Sequence, residues 1–311
     1  MRSLFKLLLS TTIALVASDA VRAQDLNPRA YTITPLHSNA FTFGYAYFSG
    51  ALDFNGAVPI KSASGQFSVP SVGYYHSFRL FGRSASVLAV LPYGVGNFQG
   101  IAFGTEKTGY RSGLLDSVFR ISVNLKGGPA MELPEFVKWR QKTLLGVSFK
   151  VIAPTGQYNP DLLINWSTNR WSLKPEFGYS RSFRNKWVVD AYAGAWFFTS
   201  NPAFFVGLPS PVPQSLTPIG SIEGHISRDL KPRLWVSLDG NFWFGGTATN
   251  GSVTLSGTRQ TASRLGVTAS FPLNNHQTLK VSYSTGAYVR FGGDYQNVSV
   301  AWQYSWNRYP K

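Results

Sequence analysis

The amino-acid sequence predicts an all-β protein, a transmembrane antiparallel up-and-down β-barrel of about twelve strands after a cleaved signal peptide. Three observations lead to this prediction. The chain starts with an export signal, the remainder alternates apolar and polar side chains, and long connections alternate with short ones. The composition agrees, since 14% of the 311 residues are charged and 15% are aromatic, and cysteine is absent. Without cysteine, a disulfide scaffold, a thiolate metal site and a cysteine nucleophile are excluded.

The first 23 residues are predicted to be a secretory signal peptide. Arg2 and Lys6 precede a short apolar run, and Val21 and Ala23 form a small-residue cleavage site that leaves Gln24 as the mature N-terminus. The apolar run is too short to anchor the chain in a membrane. The predicted domain boundaries are 1–23 for the signal peptide, 24–38 for an N-terminal lead, 39–306 for the barrel and 307–311 for a C-terminal tail.

The strands are predicted from side-chain alternation, which is strictest in the last segment. Between Val298 and Trp306 every second residue is apolar, and the residues between them are Ser, Ala and Gln. Such alternation is typical of a strand with two different faces. Eleven earlier segments show it: 41–49, 72–80, 85–91, 119–125, 145–151, 171–179, 189–195, 222–227, 234–242, 264–271 and 279–284. The register of the first three is left open, because His76 falls on the apolar face. The one helical candidate is 132–142.

Connection lengths separate the two ends of the predicted barrel. At one end the connections are 50–71, 92–114, 154–170, 199–217, 243–262 and 287–297, and at the other they are 81–84, 126–142, 181–186, 229–233 and 274–277. Bacterial outer-membrane barrels combine long outer loops, short periplasmic turns and apolar side chains that face lipid. The sequence therefore predicts localisation in the bacterial outer membrane.

The alternative fold is a secreted soluble sandwich or lipocalin-like barrel, which would turn its apolar face inward and a charged face to water. The polar faces of these strands carry too few charges to solubilise an outer surface. The apolar faces also carry aromatic residues near the strand ends, as in interfacial girdles. These residues are Trp171, Tyr179, Trp187, Phe197, Tyr304 and Trp306.

A cluster of short motifs lies around the connection at residues 154–170, and we call residues 154–171 the motif loop. It comprises Gly113-Leu114-Leu115-Asp116, Ala153 to Pro160 with Pro154, Gly156 and Tyr158, then Asn165, Thr168-Asn169-Arg170-Trp171 and Lys174-Pro175-Glu176. With these residues the sequence resembles the outer-membrane transporter family labelled "MetA-pathway of phenol degradation". The resemblance implies an outer-membrane barrel associated with the breakdown of aromatic compounds, and raises the expectation of small-molecule uptake without identifying the solute.

If the apolar faces meet lipid, the opposite positions line the lumen. These are Arg120, Lys150, Lys174, Arg264 and Lys280, together with Glu176, Asp190, Glu223, Asp239 and His225. Two interpretations stay open: a ladder of salt bridges that fills a narrow barrel, or a mixed-charge constriction that selects polar or anionic solutes.

Aromatic residues also occur in or beside the long connections, at Phe98, Phe103, Trp166, Phe204 and Phe205. They are interpreted either as a binding site for apolar molecules or as loop residues that pack against one another.

The partners predicted from the formal net charge of +15 are outer-membrane lipid and lipopolysaccharide, the latter through Lys61, Lys107, Arg111 and Arg259. A small-molecule solute is also predicted, whereas nucleic acid is not, because the barrel is exported. The oligomeric state stays open.

Catalysis is not predicted, and no cofactor or metal is expected. A Ser–His nucleophile pair needs a histidine beside a serine and a third, orienting group. Among the four histidines only His225, between Glu223 and Ser227 on one strand face, has such neighbours, and period-two spacing produces them by chance.

The predicted function is passive uptake of small molecules through an outer-membrane channel, with aromatic or other hydrophobic compounds as candidates. The alternatives are a structural or surface-interaction barrel without transport, and an outer-membrane lipid hydrolase.

Overall fold

The computed structural model describes residues 26–53, 60–102, 104–162, 164–184, 186–204, 210–290 and 292–307. The predicted signal peptide, with its cleavage site at Ala23, lies outside the described residues, as do Phe103, Phe205 and residues 308–311 of the tail. Neither helix in the described part of the chain has the length and apolar character of a membrane-spanning helix.

Strands make up most of the described chain. In order they are β1 (Ser38–Asp53), β2 (Ile60–Leu80), β3 (Arg83–Ala102), β4 (Thr105–Leu114), β5 (Ser117–Lys126), β6 (Thr143–Ala153), β7 (Ser172–Phe183), β8 (Trp187–Phe198), β9 (Asn201–Phe204), β10 (Val212–Leu216), β11 (Ile219–Lys231), β12 (Leu234–Gly245), β13 (Ala248–Asn250), β14 (Val253–Leu255), β15 (Gln260–Pro272), β16 (Gln277–Val289) and β17 (Gly292–Asn307). One α-helix, α1 (Leu133–Lys138), lies within the predicted helical segment 132–142, and a short 3-10 helix spans Ser256–Thr258.

The strands close into one antiparallel barrel. Each strand of the barrel wall pairs with the next wall strand along the chain, so that β8 pairs with β11 and β12 with β15. The barrel closes where β1 pairs with β17, from Ser38↔Asn307 to Asp53↔Gly292. The strands β4 and β5 both pair with β3 and together fill one wall position, interrupted at Leu115 and Asp116. The barrel therefore has twelve wall positions, as predicted. The strands β9, β10, β13 and β14 form a separate small sheet at the long-loop end.

The apolar side of the wall faces outward. Phe43, Leu91, Phe119 and Leu238 are exposed, together with more than 30 other large apolar side chains, whereas the alternate positions are buried. A soluble barrel would show the reverse arrangement. Since lipid is the solvent that accepts such a surface, and since every wall strand is paired, the molecule is an outer-membrane β-barrel.

Three of the predicted long connections are mostly strand. The segments 50–71 and 92–114 were expected as loops, but β1, β2, β3 and β4 extend through most of them. Above the lipid band the outward residues become polar, for example Gln66 and Asn97, so the apolar alternation ends while the strand pairing continues. The third is the predicted connection 287–297, since β16 extends to Val289 and Gly292-Gly293-Asp294 begins β17 and pairs with β1.

Candidate functional site in the barrel lumen

The lumen is occupied at its short-turn end by residues 26–37, which we call the plug. This segment precedes β1, enters the barrel, and buries Tyr31, Ile33 and Leu36 to 2–3% exposure. Its base is fixed where the Leu36 backbone N–H donates to the Met131 carbonyl, 2.8 Å away in the connection that carries α1. The sequence provided no periodic signal for this segment, which was predicted only as a lead into the barrel.

Glycines of the wall accommodate the plug. Gly146 and Gly178 are paired across β6 and β7, and the Tyr31 ring lies against both of them. A Cβ at Gly146 would approach the ring to 2.5 Å, and a Cβ at Gly178 would overlap it. Leu26 lies against Gly266 in the same way, with 2.7 Å to a Cβ built there. Glycine inside a strand often marks the close approach of another group, and this was the available sequence signal for the plug.

Polar contacts tie the plug to the wall at several levels. The Arg29 guanidinium makes a 2.7 Å ion pair with Asp229, and its backbone N–H donates to Asp190 at 3.1 Å. The Tyr31 hydroxyl lies 3.0 Å from both Ser148 Oγ and Glu176 Oε1. The plug is therefore part of the polar interior, and Asp190, predicted to line the lumen, contacts the plug.

The middle of the lumen contains a central ionic cluster. Lys174 Nζ lies 2.6 Å from Glu176 and 3.0 Å from Glu223, and Arg120 lies 3.5 Å from Glu176. His225 continues the chain of contacts, with Nδ1 2.9 Å from Asp239 Oδ1 and Nε2 3.7 Å from Glu223. The Thr268 hydroxyl donates to the other oxygen of Asp239 at 2.7 Å. The structure thus brings six of the ten predicted lumen residues into one connected network.

The remaining predicted lumen cations, Lys150, Lys280 and Arg264, are also buried inside the barrel. Lys150 is paired in register with Arg120 and Lys174, and its Nζ is 5.8 Å from the centre of the Trp196 ring, while Lys280 is buried on β16. Arg264 lies nearer the long-loop end, over Tyr295 at 4.2 Å. Its guanidinium donates to the Tyr295 carbonyl at 3.0 Å, just beyond the last β16–β17 pair, Ser284↔Asn297.

Towards the long-loop end the lumen becomes aromatic. Phe48, Phe67, Phe98, Tyr295 and Trp166 form what we call the aromatic cluster, with ring centres 4.7–5.9 Å apart between neighbours. Ala46, Val69 and Leu115 complete it. A second inward-facing apolar group is centred on Trp196 of β8 and Trp243 of β12, on another part of the barrel wall. Sequence reasoning identified Phe98 and Trp166 but missed Phe48, Phe67 and Tyr295, which lie in stretches expected to be loops or at uncertain register.

The Trp166 indole is brought into the lumen by the motif loop. Asp116, at the break between β4 and β5, accepts hydrogen bonds from the backbone N–H groups of Gly156 and Thr168 at 3.2 and 2.9 Å. The Tyr158 hydroxyl donates to the Ala203 carbonyl at 2.7 Å and accepts from Asn201. Burial raises the pKa of the Tyr158 hydroxyl above its ordinary value, so that it remains a donor.

The other motif residues extend this network. Within the loop, Asn165 Oδ1 accepts a hydrogen bond from the Asn159 backbone N–H at 2.8 Å, and the Asn169 side chain donates to Asn201 at 2.9 Å. Arg170 donates to Gln214 at 3.1 Å, whereas Trp171 is exposed on the lipid side and Pro154 lies at the end of β6. The motif residues thus fold one loop over the mouth of the barrel.

Neither a nucleophile pair nor a metal centre is formed among the described residues. Both ring nitrogens of His225 face carboxylates, and the Ser227 hydroxyl instead contacts Arg29 and the Val188 carbonyl. No group of three or more potential ligands is close enough to hold a metal in the described part of the chain.

The comparisons with known proteins agree with this architecture. Residues 49–300 match the family model described as "Putative MetA-pathway of phenol degradation", so the chain belongs to that family. None of the curated proteins compared gives a significant match.

Among solved structures, the barrel is similar to an outer membrane channel from Pseudomonas putida F1, with a TM-score of 0.75 and 16% identity over 91% of this chain and 100% of that chain. It is also similar to the β domain of the Bordetella autotransporter BrkA, with a TM-score of 0.53 and 12% identity over 87% of this chain and 100% of that chain. The translocator domain of the autotransporter NalP from Neisseria meningitidis gives 0.52 and 10% over 88% of each. At these identities the likeness concerns the fold.

Proposed function

We propose that the protein is a passive outer-membrane channel for small hydrophobic molecules, aromatic compounds among them. The observation that carries the proposal is the inward-facing aromatic cluster at the long-loop end. In a lipid-embedded barrel, apolar side chains are needed only on the outside, and lumens are ordinarily polar. Five aromatic rings gathered inside therefore provide a favourable environment for an apolar solute.

Polar groups beside the aromatic cluster favour aromatic solutes that carry a polar substituent. The Trp166 indole N–H is buried and has no hydrogen-bond partner among the described residues. A solute oxygen that reaches this N–H would satisfy it, and satisfying a buried donor contributes about 1–3 kcal/mol. The family description and the name of the Pseudomonas channel support the same class of function.

The central ionic cluster favours the salt-bridge interpretation over an open charged constriction. Lys174 contacts two carboxylates, and Glu176 contacts two cations. The plug occupies the lumen beside this cluster, and the Tyr31 hydroxyl contacts Glu176 of the cluster. Passage therefore requires displacement of the plug, and the anion selectivity considered from the sequence is a property of the opened barrel only.

Conductance separates transport from the structural alternative. The mature protein in planar bilayers is expected to show discrete current steps, and phenol added at the long-loop side is expected to block them. A folded barrel that gives neither steps nor solute flux, even after removal of the plug, would support the structural barrel without transport.

A matched pair of variants tests the role of the aromatic cluster. Phe98→Ala removes a ring of the cluster, whereas Phe119→Ala removes a ring that faces lipid. We expect weaker block by phenol in the first variant and unchanged block in the second. Equal behaviour of the two variants would contradict the proposed binding site.

The non-enzymatic character of the protein is part of this proposal. His225 is held between carboxylates, so we expect His225→Gln to leave lipid hydrolysis at the background of the native protein. Hydrolysis by the native protein that this variant abolishes would favour the hydrolase alternative.

A further inference from the structure

A cluster of basic residues lies at the short-turn ends of four neighbouring wall strands. Its members, which we call the cationic rim, are at the ends of β6, β7, β8 and β11, and all are exposed: Lys142, Arg181, Arg184, Lys186, Arg228 and Lys231. Within 181–186 and 228–233 the only acidic residue is Asp229, which is paired with Arg29 of the plug. The rim therefore carries a concentrated positive charge.

The position of the rim matches the head-group level of the periplasmic leaflet. Arg181 and Arg228 lie on the outward face, directly below lipid-facing side chains such as Phe177 and Ile226. Trp187 lies between them at the level of an interfacial girdle, and the Arg228 guanidinium is stacked 5.2 Å from its ring centre. This stacking holds the guanidinium beside the membrane surface while its N–H groups remain available.

The long-loop end has no equivalent concentration of charge among the described residues. Lys61, Lys107 and Arg259 are distributed over separate segments, and Glu106, Asp161 and Asp294 lie in the same region. Arg111 is engaged with the Ile164 carbonyl at 3.3 Å. The basic surplus that suggested a lipopolysaccharide partner is thus denser at the opposite, periplasmic end.

We propose that the cationic rim binds the phosphate groups of anionic phospholipids in the periplasmic leaflet of the outer membrane. Guanidinium groups bind phosphate oxygens with paired N–H donors, and lysine adds point charge. Basic residues next to a membrane surface each strengthen attraction to anionic lipid, and salt weakens that attraction. The membrane level of Arg181 and Arg228 favours a lipid head group over a soluble phosphate.

Lipid retention in native mass spectrometry tests the proposal. The full mature protein in detergent is titrated with phosphatidylglycerol and, separately, with phosphatidylcholine. We expect preferential retention of phosphatidylglycerol, and a loss of about tenfold or more in its affinity for R181Q/R184Q/K186Q/R228Q. Retention of phosphatidylcholine should not change. A quadruple variant within about twofold of the native affinity would overturn the proposal.

A control of equal charge distinguishes a site from general attraction. R83Q/K126Q/K138Q/R140Q removes four cations from the same end of the barrel but outside the rim. It should keep the native affinity, and an equal loss in this control would also overturn the proposal. If the first variant fails to fold, R184Q/K186Q changes only the turn between β7 and β8 and is expected to show a smaller loss in the same direction. Free inorganic phosphate at equal concentration should not displace the lipid; if it does, the rim is an anion site without lipid preference.

Discussion

Removal of the Tyr31 ring should release the plug and open the barrel. This ring is 2% exposed, lies against Gly146 and Gly178, and has the Arg120 guanidinium 4.9 Å from its centre. Truncation of a buried aromatic residue to alanine costs about 3–5 kcal/mol, and the loss falls here on the docked state, in which the ring is buried. At about 1.4 kcal/mol per tenfold change, Tyr31→Ala should raise the undocked fraction by at least about 100-fold.

Single-channel recording in planar bilayers measures this change directly as open probability. Tyr31→Phe is the matched control, because it keeps the ring and removes only the hydroxyl that contacts Ser148 and Glu176. A net hydrogen-bond contribution of about 1 kcal/mol predicts a change of about fivefold for this control. Barrel integrity is checked by heat-modifiable migration on gels, which should be the same for both variants.

Gly178, which lies against the Tyr31 ring, allows an independent test in the same assay. Gly178→Ala places a Cβ where the Tyr31 ring lies, so it should also raise open probability. In the Tyr31→Ala background the added methyl group no longer meets the ring, and its effect should disappear. If Tyr31→Ala recordings match the native protein, or if the two substitutions act additively, the ring does not hold the barrel closed and the reasoning is refuted.

Three further substitutions test the wall and the mouth of the barrel. Lys174→Met leaves Glu176 and Glu223 without their shared cation and should destabilise the barrel by about 3–5 kcal/mol, seen as unfolding at lower urea concentration; an unchanged midpoint would contradict the network. Asp116→Asn weakens the charge-assisted hydrogen bonds to the motif loop and should accelerate trypsin cleavage within residues 154–171, while uniform resistance would argue against this anchor. Arg264→Gln removes the guanidinium that donates to the Tyr295 carbonyl. Amide hydrogen exchange in 285–296, beyond the last β16–β17 pair, should then accelerate relative to 277–284. Exchange rates unchanged from the native protein would show that the contact is dispensable.

The wall of the barrel could be predicted from sequence because lipid imposes a simple rule on each strand. Val298, Val300 and Trp302 face lipid while Ser299 and Ala301 face inward, and one strand suffices to show the pattern. The rule fails where lipid ends. Above the lipid band the outward face of β2 and β3 is polar, as at Gln66 and Asn97, whereas the inward face carries Phe67 and Phe98, so the pattern of the lipid-spanning part is lost although pairing continues.

The interior could be predicted only in part, because its contacts join distant segments. The alternation placed Lys174 and Glu223 on inward faces, but their contact depends on the pairing of β7, β8 and β11. The docking of the plug could not be predicted from the sequence for the same reason. Tyr31 is 147 positions from Gly178 in the sequence. No local pattern indicates that this irregular segment packs against the glycines of β6 and β7.

The balance of forces on the plug indicates which contacts govern opening. In the docked state the Arg29 guanidinium is paired with Asp229 and the Arg29 backbone N–H donates to Asp190, and on release these groups regain water, so the polar contacts contribute little net free energy to docking. The apolar side chains of Tyr31, Ile33 and Leu36 have no such compensation, because release exposes them to the aqueous lumen. Increased salt, which screens the ion pairs, should therefore change open probability far less than loss of the Tyr31 ring. The free energy of docking therefore comes mainly from the Tyr31 ring packed against Gly146 and Gly178. The polar contacts of Arg29 determine the position of the plug.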